Sequence, residues 1–126
     1  MSDELILVVE DDERSRRLLR DVLQHDGYRT VEAATIADAL IRARANLPAL
    51  VIMDIQLPDG DGVSALTELR LDSGTSAIPV VAVTAFAMKA DEARFLAAGF
   101  DGYLTKPVDL AGLRKLVARL SGRTPE

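Results

Sequence analysis

Three acids stand together at Glu10, Asp11 and Asp12. A fourth, Asp54, ends an apolar run; Thr84 follows another, and Lys106 precedes Pro107 after a third. Each lies just past a short apolar segment, which is where an open parallel sheet delivers side chains to a ligand crevice. Neighbouring strands run about 4.8 Å apart, so the first-loop acids share one pocket with Asp54 if their strands are adjacent. Two carboxylates about 4 Å apart repel by roughly 4 kcal/mol at an effective dielectric of 20, and such a cluster needs a cation. Hard oxygen ligands with no His or Cys beside them favour Mg²⁺, which keeps some waters and takes a phosphate ligand. A metal, a hydroxyl and a lysine around one carboxylate suit phosphoryl transfer, where catalysis is mostly positioning and charge neutralisation.

The elements that must carry these residues alternate along the chain. Apolar segments at Leu5 to Val9, Arg29 to Ala33, Leu50 to Met53, Val80 to Val83 and Gly102 to Leu104 are too short for buried helices, and several are rich in Val or Ile. The first, third and fourth are apolar without alternation, as parallel strands covered on both faces are. Between them, Glu13 to His25 sets Leu18, Leu19, Val22 and Leu23 on one side and mostly arginines on the other. Thr35 to Ala45, Gly62 to Leu71, Met88 to Ala98 and Asp109 to Leu120 follow the same logic. The pattern predicts an α/β fold of (βα)5 type: a doubly wound parallel sheet in a three-layer sandwich.

Composition narrows the function. The 126 residues fit one domain, with a core over about residues 5–120 and a loose tail at 121–126; a separate output module is not expected. No cysteine and one histidine exclude disulfides, thiolate sites and a multi-histidine metal cage. Fifteen basic against twenty acidic side chains give a net charge of −5, which disfavours nucleic acid as a partner. No apolar run approaches the roughly 20 residues needed to span a bilayer, and the polar start is unlike a signal peptide, so a cytoplasmic protein with no membrane insertion is expected.

The tracts Val8-Val9-Glu10-Asp11, Met53-Asp54-Ile55-Gln56-Leu57-Pro58, Pro79 to Ala85 and Tyr103-Leu104-Thr105-Lys106-Pro107, in this order and at these spacings, resemble the receiver domain of two-component response regulators, the CheY-like superfamily. The resemblance runs from about Leu5 to Leu120. It implies a flavodoxin-like sandwich with strand order 2-1-3-4-5. It further implies that Asp54 is the phosphoacceptor for a sensor histidine kinase or histidine phosphotransferase, and that the chain assists its own phosphorylation rather than acting as an enzyme on other molecules. Asp11 and Asp54 would ligate Mg²⁺, Glu10 would act nearby or through water, and the backbone carbonyl of Gln56 would add a ligand. Lys106, preceding a cis proline, would pair with a phosphoryl oxygen, and Thr84 would donate its hydroxyl to the phosphoryl group. Thr84 and Tyr103 would form a switch that alters the face of the fourth helix, fifth strand and fifth helix for a downstream protein or a second receiver.

Three departures qualify the resemblance. Gly60 in the loop after the acceptor suggests added mobility there. Asp12 adds a third carboxylate to the first loop. Phe86, two residues past Thr84, stands where the family controls access of the attacking water, and an apolar ring with Gln56 opposite is expected to slow hydrolysis.

Plainer roles compete for several of these residues. Glu10 to Glu13 also suit a helix N-terminus, and His25 suits a helix C-terminus rather than a phosphodonor. Arg114, Lys115, Arg119 and Arg123 suit the solvated side of the last helix. A phosphorylation-independent docking domain on the same fold is the competing function. A flavin or nucleotide binder is excluded by the acidic first loop, which is no phosphate cradle.

Overall fold

The computed structural model describes residues 4–85 and 89–122. Five parallel strands form the central sheet: β1 (Leu5–Val9), β2 (Arg29–Ala33), β3 (Leu50–Asp54), β6 (Val80–Thr84) and β7 (Gly102–Thr105). Their order is β2-β1-β3-β6-β7, the 2-1-3-4-5 arrangement expected of the five core strands. Five helices complete the alternation: α1 (Glu13–His25), α2 (Ile36–Asn46), α3 (Gly62–Leu71), α4 (Lys89–Ala98) and α5 (Leu110–Leu120).

Alternation along the strands builds two cores. Ile6 and Val8 of β1, Leu50 and Ile52 of β3, and Val81 and Val83 of β6 pack with Leu19, Val22 and Leu23 of α1 and with Leu113 and Val117 of α5. Their neighbours Leu7, Val9, Val51, Met53, Val80 and Ala82 face the other way, toward Ala39 and Ala43 of α2, Leu66 and Leu69 of α3, and Phe95 of α4. Because helices cover both faces, β1, β3 and β6 carry no polar alternation. The edge strand β2 does carry it, with a charged residue at Glu32.

The observed boundaries differ from those of the sequence pattern where a polar side chain turns back on the main chain. Thr35 and Asp109 have extended backbone and cap α2 and α5, accepting hydrogen bonds from the N–H groups of Asp38 and Ala111. Asp54, Thr84 and Thr105 each lengthen a strand by one residue, because parallel pairing continues to the sheet's carboxyl edge. Met88 lies outside the described residues.

The loop after β3 folds back on itself. Gln56–Leu57 (β4) and Gly60–Asp61 (β5) pair as a small antiparallel hairpin. Gly60, at φ +151°, provides a backbone conformation that few other residues adopt. Asp59 at the hairpin tip reaches α2: its Oδ1 accepts from Ile36 N at 2.8 Å and its Oδ2 from Ala37 N at 3.1 Å. No helix among the described residues is long and apolar enough to cross a membrane.

Candidate functional site

Strand register alone brings the distant tracts together. Val9 is paired with Met53, so Glu10 emerges beside Asp54, and Asp54 is paired in turn with Val83, the residue before Thr84. Thr84 is paired with Thr105, and the N–H of Lys106 donates to the carbonyl of Thr84 at 2.8 Å. Winding reverses between β1 and β3, so the helices that follow those strands leave on opposite faces. The crevice opens between them.

Asp54 is 6% exposed. Its Oδ1 accepts from the N–H of Gln56 at 3.0 Å, and its Oδ2 accepts from Lys106 Nζ at 2.8 Å. Lys106 reaches this position from a loop whose Lys106-Pro107 peptide is cis. Its Nζ also lies 2.6 Å from Glu10 Oε1, so that one ammonium is shared between two buried carboxylates. Burial of Lys106 opposes its charge, yet the hydrogen bond to Asp54 and the nearness of Glu10 outweigh it and hold the ammonium above its usual pKa.

Glu10 is 1% exposed. Burial first, and the nearness of Asp54 second, push its carboxyl up to about 7, against the pull of Lys106 and of the Asp12 N–H. A carboxylate so placed lacks positive charge. Glu10, Asp11 and Asp54 each present an oxygen, all within 4.8 Å of one another, with Asp11 on the solvent side. Three acids facing one lysine, with their oxygens converging, fit a hard divalent cation.

Asp12 does not join them. It caps α1, accepting from Ser15 N at 3.1 Å and Ser15 Oγ at 2.7 Å. The acidic run is therefore divided: Asp12 caps a helix, while Glu10 and Asp11 face Asp54.

Gln56 lies at the start of the hairpin, two residues from Asp54, with an exposed side chain. Gly62 keeps the hairpin close: a Cβ there would sit 2.9 Å from the Asp54 carbonyl and 3.1 Å from Ile55 Cα, while its N–H donates to the Ile55 carbonyl at 2.7 Å. Thr84 is buried at the end of β6. Tyr103 lies farther along the sheet and is half-buried, its ring stacked on Phe95 with centroids 5.9 Å apart. Burial, then Asp91 and Glu92, raise its phenol above the usual pKa. Beside it a groove of about 370 Å³ runs between α4, β7 and α5, lined by Glu92, Tyr103, Leu104 and Asp109 among others. Phe86 lies outside the described residues.

Two side chains that the sequence pattern assigns to solvent or to a loop prove to brace this site. Asp59 ties the hairpin to α2. Arg16 donates to the Glu10 carbonyl at 2.9 Å. Helical periodicity gives no signal for either, because both reach a neighbouring element rather than their own.

Known proteins share this fold. The model of the response regulator receiver domain matches residues 6–118. The polar-differentiation response regulator DivK of Brucella ovis is 41% identical over 105 residues, covering 83% of this chain and 85% of that protein. The receiver domain of a sensor histidine kinase from Pseudomonas aeruginosa, solved with a magnesium ion coordinated in its active site cleft, superposes with a TM-score of 0.87 at 32% identity, over 96% of this chain and 99% of that one. Chemotaxis protein CheY4 of Vibrio cholerae gives a TM-score of 0.87 at 25% identity, over 94% of this chain and 99% of that one. The sheet order, the acidic crevice and the match over residues 6–118 together lead to one assignment: the chain belongs to the response regulator receiver family of two-component signalling.

Proposed function

We propose that this chain is a single receiver domain that accepts a phosphoryl group on Asp54 from a phosphohistidine of a sensor kinase or phosphotransferase. The observation that carries the reading is the buried Asp54 carboxylate, held at one oxygen by Lys106 Nζ and at the other by the Gln56 N–H, beside Glu10 and Asp11. These two donors orient the carboxylate. An Asp54 oxygen attacks phosphorus as the phosphorus–nitrogen bond of the donor breaks. The electron pair leaves with the imidazole, which takes a proton from solvent, and an acyl phosphate remains.

Glu10, Asp11, Asp54 and the Gln56 carbonyl would hold Mg²⁺, which when bound supplies positive charge against the phosphoryl oxygens. Lys106 contributes the same from the protein side: already charged and within reach of Asp54, it moves to a phosphoryl oxygen without a proton transfer. Thr84, at the end of the neighbouring strand, donates its hydroxyl to the adduct.

The adduct adds nearly two negative charges beside Thr84 and Lys106. A state in which Thr84 moves toward it and Tyr103 leaves its half-exposed position gains contacts that the unmodified state lacks, so the population shifts. The groove between α4, β7 and α5 is the surface that changes, and a downstream protein or a second copy reads it there. The domain acts as a switch, not as an enzyme on other substrates.

Intact-mass measurement after incubation with Mg²⁺ and acetyl phosphate tests the acceptor. The parent gains one phosphoryl group and Asp54→Ala gains none; addition to both proteins refutes the assignment. No addition to the parent favours the phosphorylation-independent docking domain.

A further inference from the structure

Arg16 occupies the second turn of α1, and its side chain does not run outward into solvent. The guanidinium folds back over the end of the sheet, where Nη1 donates to the Glu10 carbonyl at 2.9 Å and Nε donates to Glu32 Oε1 on β2 at 3.1 Å. The two side chains are 21% and 30% exposed, and Arg20 stands 3.8 Å from the second oxygen of Glu32. The N–H of Glu10 is held as well, donating to the Ala33 carbonyl of β2 at 3.0 Å. The main chain of Glu10 is therefore fixed on both sides at the point where the strand ends and the acidic loop begins.

Arg16 contacts a carbonyl and not the acidic cluster's carboxylates. Its effect on that cluster is one of placement more than of charge. Placement matters here because Mg²⁺ demands near-ideal octahedral geometry and tolerates little displacement of its ligands. Partners that orient metal ligands from outside typically contribute 10–100-fold to affinity or activity.

We infer that Arg16, anchored by Glu32, is a positioning residue for the cation site: it fixes the main chain of Glu10, and through it the carboxyl groups of Glu10 and Asp11, in the arrangement a small octahedral cation requires. This rests on the reading above that Glu10, Asp11 and Asp54 hold Mg²⁺. A rigid guanidinium suits the task because its fork satisfies a carbonyl and a carboxylate at once, and a lysine reaches only one of them.

The test titrates MgCl₂ calorimetrically into the parent, R16M, R16K and E32Q at constant ionic strength. Thermal midpoints in chelator, and acetyl phosphate modification rates across Mg²⁺ concentrations, are measured in parallel. R16M is expected to weaken Mg²⁺ binding about tenfold. Its modification rate falls by the same factor at limiting Mg²⁺ and returns close to the parental rate at saturation. E32Q, which keeps Arg16 and loosens its anchor, weakens binding by a smaller factor, and R16K lies between the parent and R16M. If R16M does not fold, E32Q carries the test. A lowered thermal midpoint with an unchanged Mg²⁺ dissociation constant in the folded variants overturns the inference and leaves the function standing. A parent that takes up no Mg²⁺ overturns both.

Discussion

Asp54 is held by one neighbour two residues on and by another far along the chain. Its carboxylate is buried at the end of an apolar strand, a position that is costly unless partners meet the charge, and Lys106 and the Gln56 N–H do so. Glu10 is the residue left over: Lys106 serves two acids, and the carboxyl of Glu10 is pushed up to about 7. Removing one charge from such a cluster relieves repulsion that the single ammonium of Lys106 meets only in part. Asp11→Asn is accordingly expected to raise stability in chelator by up to about 1 kcal/mol, because Asp11 lies on the solvent side where the effective dielectric is high. The same variant is expected to lose the Mg²⁺-dependent rise in thermal midpoint expected of the parent. Thermal melts with and without MgCl₂ measure both, and a variant that keeps the parental Mg²⁺ response removes Asp11 from the ligand set.

Among the elements, the small hairpin does more than connect β3 to α3. It carries Gln56 at one end and Gly62 at the other, and its tip is tied to α2 through Asp59. The N–H groups of Ile36 and then Ala37 hold the Asp59 carboxyl below its usual pKa. A carboxyl depressed in the folded state contributes stability above its unfolded pKa of about 3.8 and loses it as pH falls through the lower folded value. The acid limb of the parent's stability curve below pH 4 should therefore be steeper than that of Asp59→Asn, with the difference absent near pH 7 apart from a constant offset. Urea melts across pH 2.5 to 7 measure it, and parallel acid limbs would show that the clamp is not ionic. α4 stands apart for another reason. Phe95 is its buried side chain among the described residues, and that ring supports Tyr103 and meets Phe100 edge to face.

At the scale of the molecule, the crevice and the groove beside Tyr103 are joined by β6 and β7. Thr84 ends the first of these strands and Tyr103 lies within the second, so a change at the acceptor has a short packed route to the α4, β7 and α5 face. Beryllofluoride, a phosphoryl mimic, bound with Mg²⁺ is expected to shift amide resonances around Asp54 and, beyond them, across α4, β7 and α5, while the far ends of α1 and α2 stay still. In Thr84→Ala the shifts near Asp54 persist and those at the distant face shrink several-fold. Equal shifts at that face in both proteins would remove Thr84 from the coupling.

The amino-acid order by itself determined the alternation of five strands with five helices, since covered parallel strands are short apolar runs and amphipathic helices repeat every 3.6 residues. It also marked Glu10, Asp11, Asp54, Thr84 and Lys106, because residues just past such strands gather at one sheet edge. Tertiary structure decided what periodicity cannot express. Asp12 became a helix cap while its two neighbours joined Asp54, a division set by where β1 ends and α1 begins. Asp59 and Arg16 look like loop and surface residues because their partners at the start of α2 and at Glu32 of β2 lie on other elements and come adjacent only once the sheet is wound. The excess of acid over lysine in the crevice has the same origin: burial and register set it, and neither is a property of any one segment.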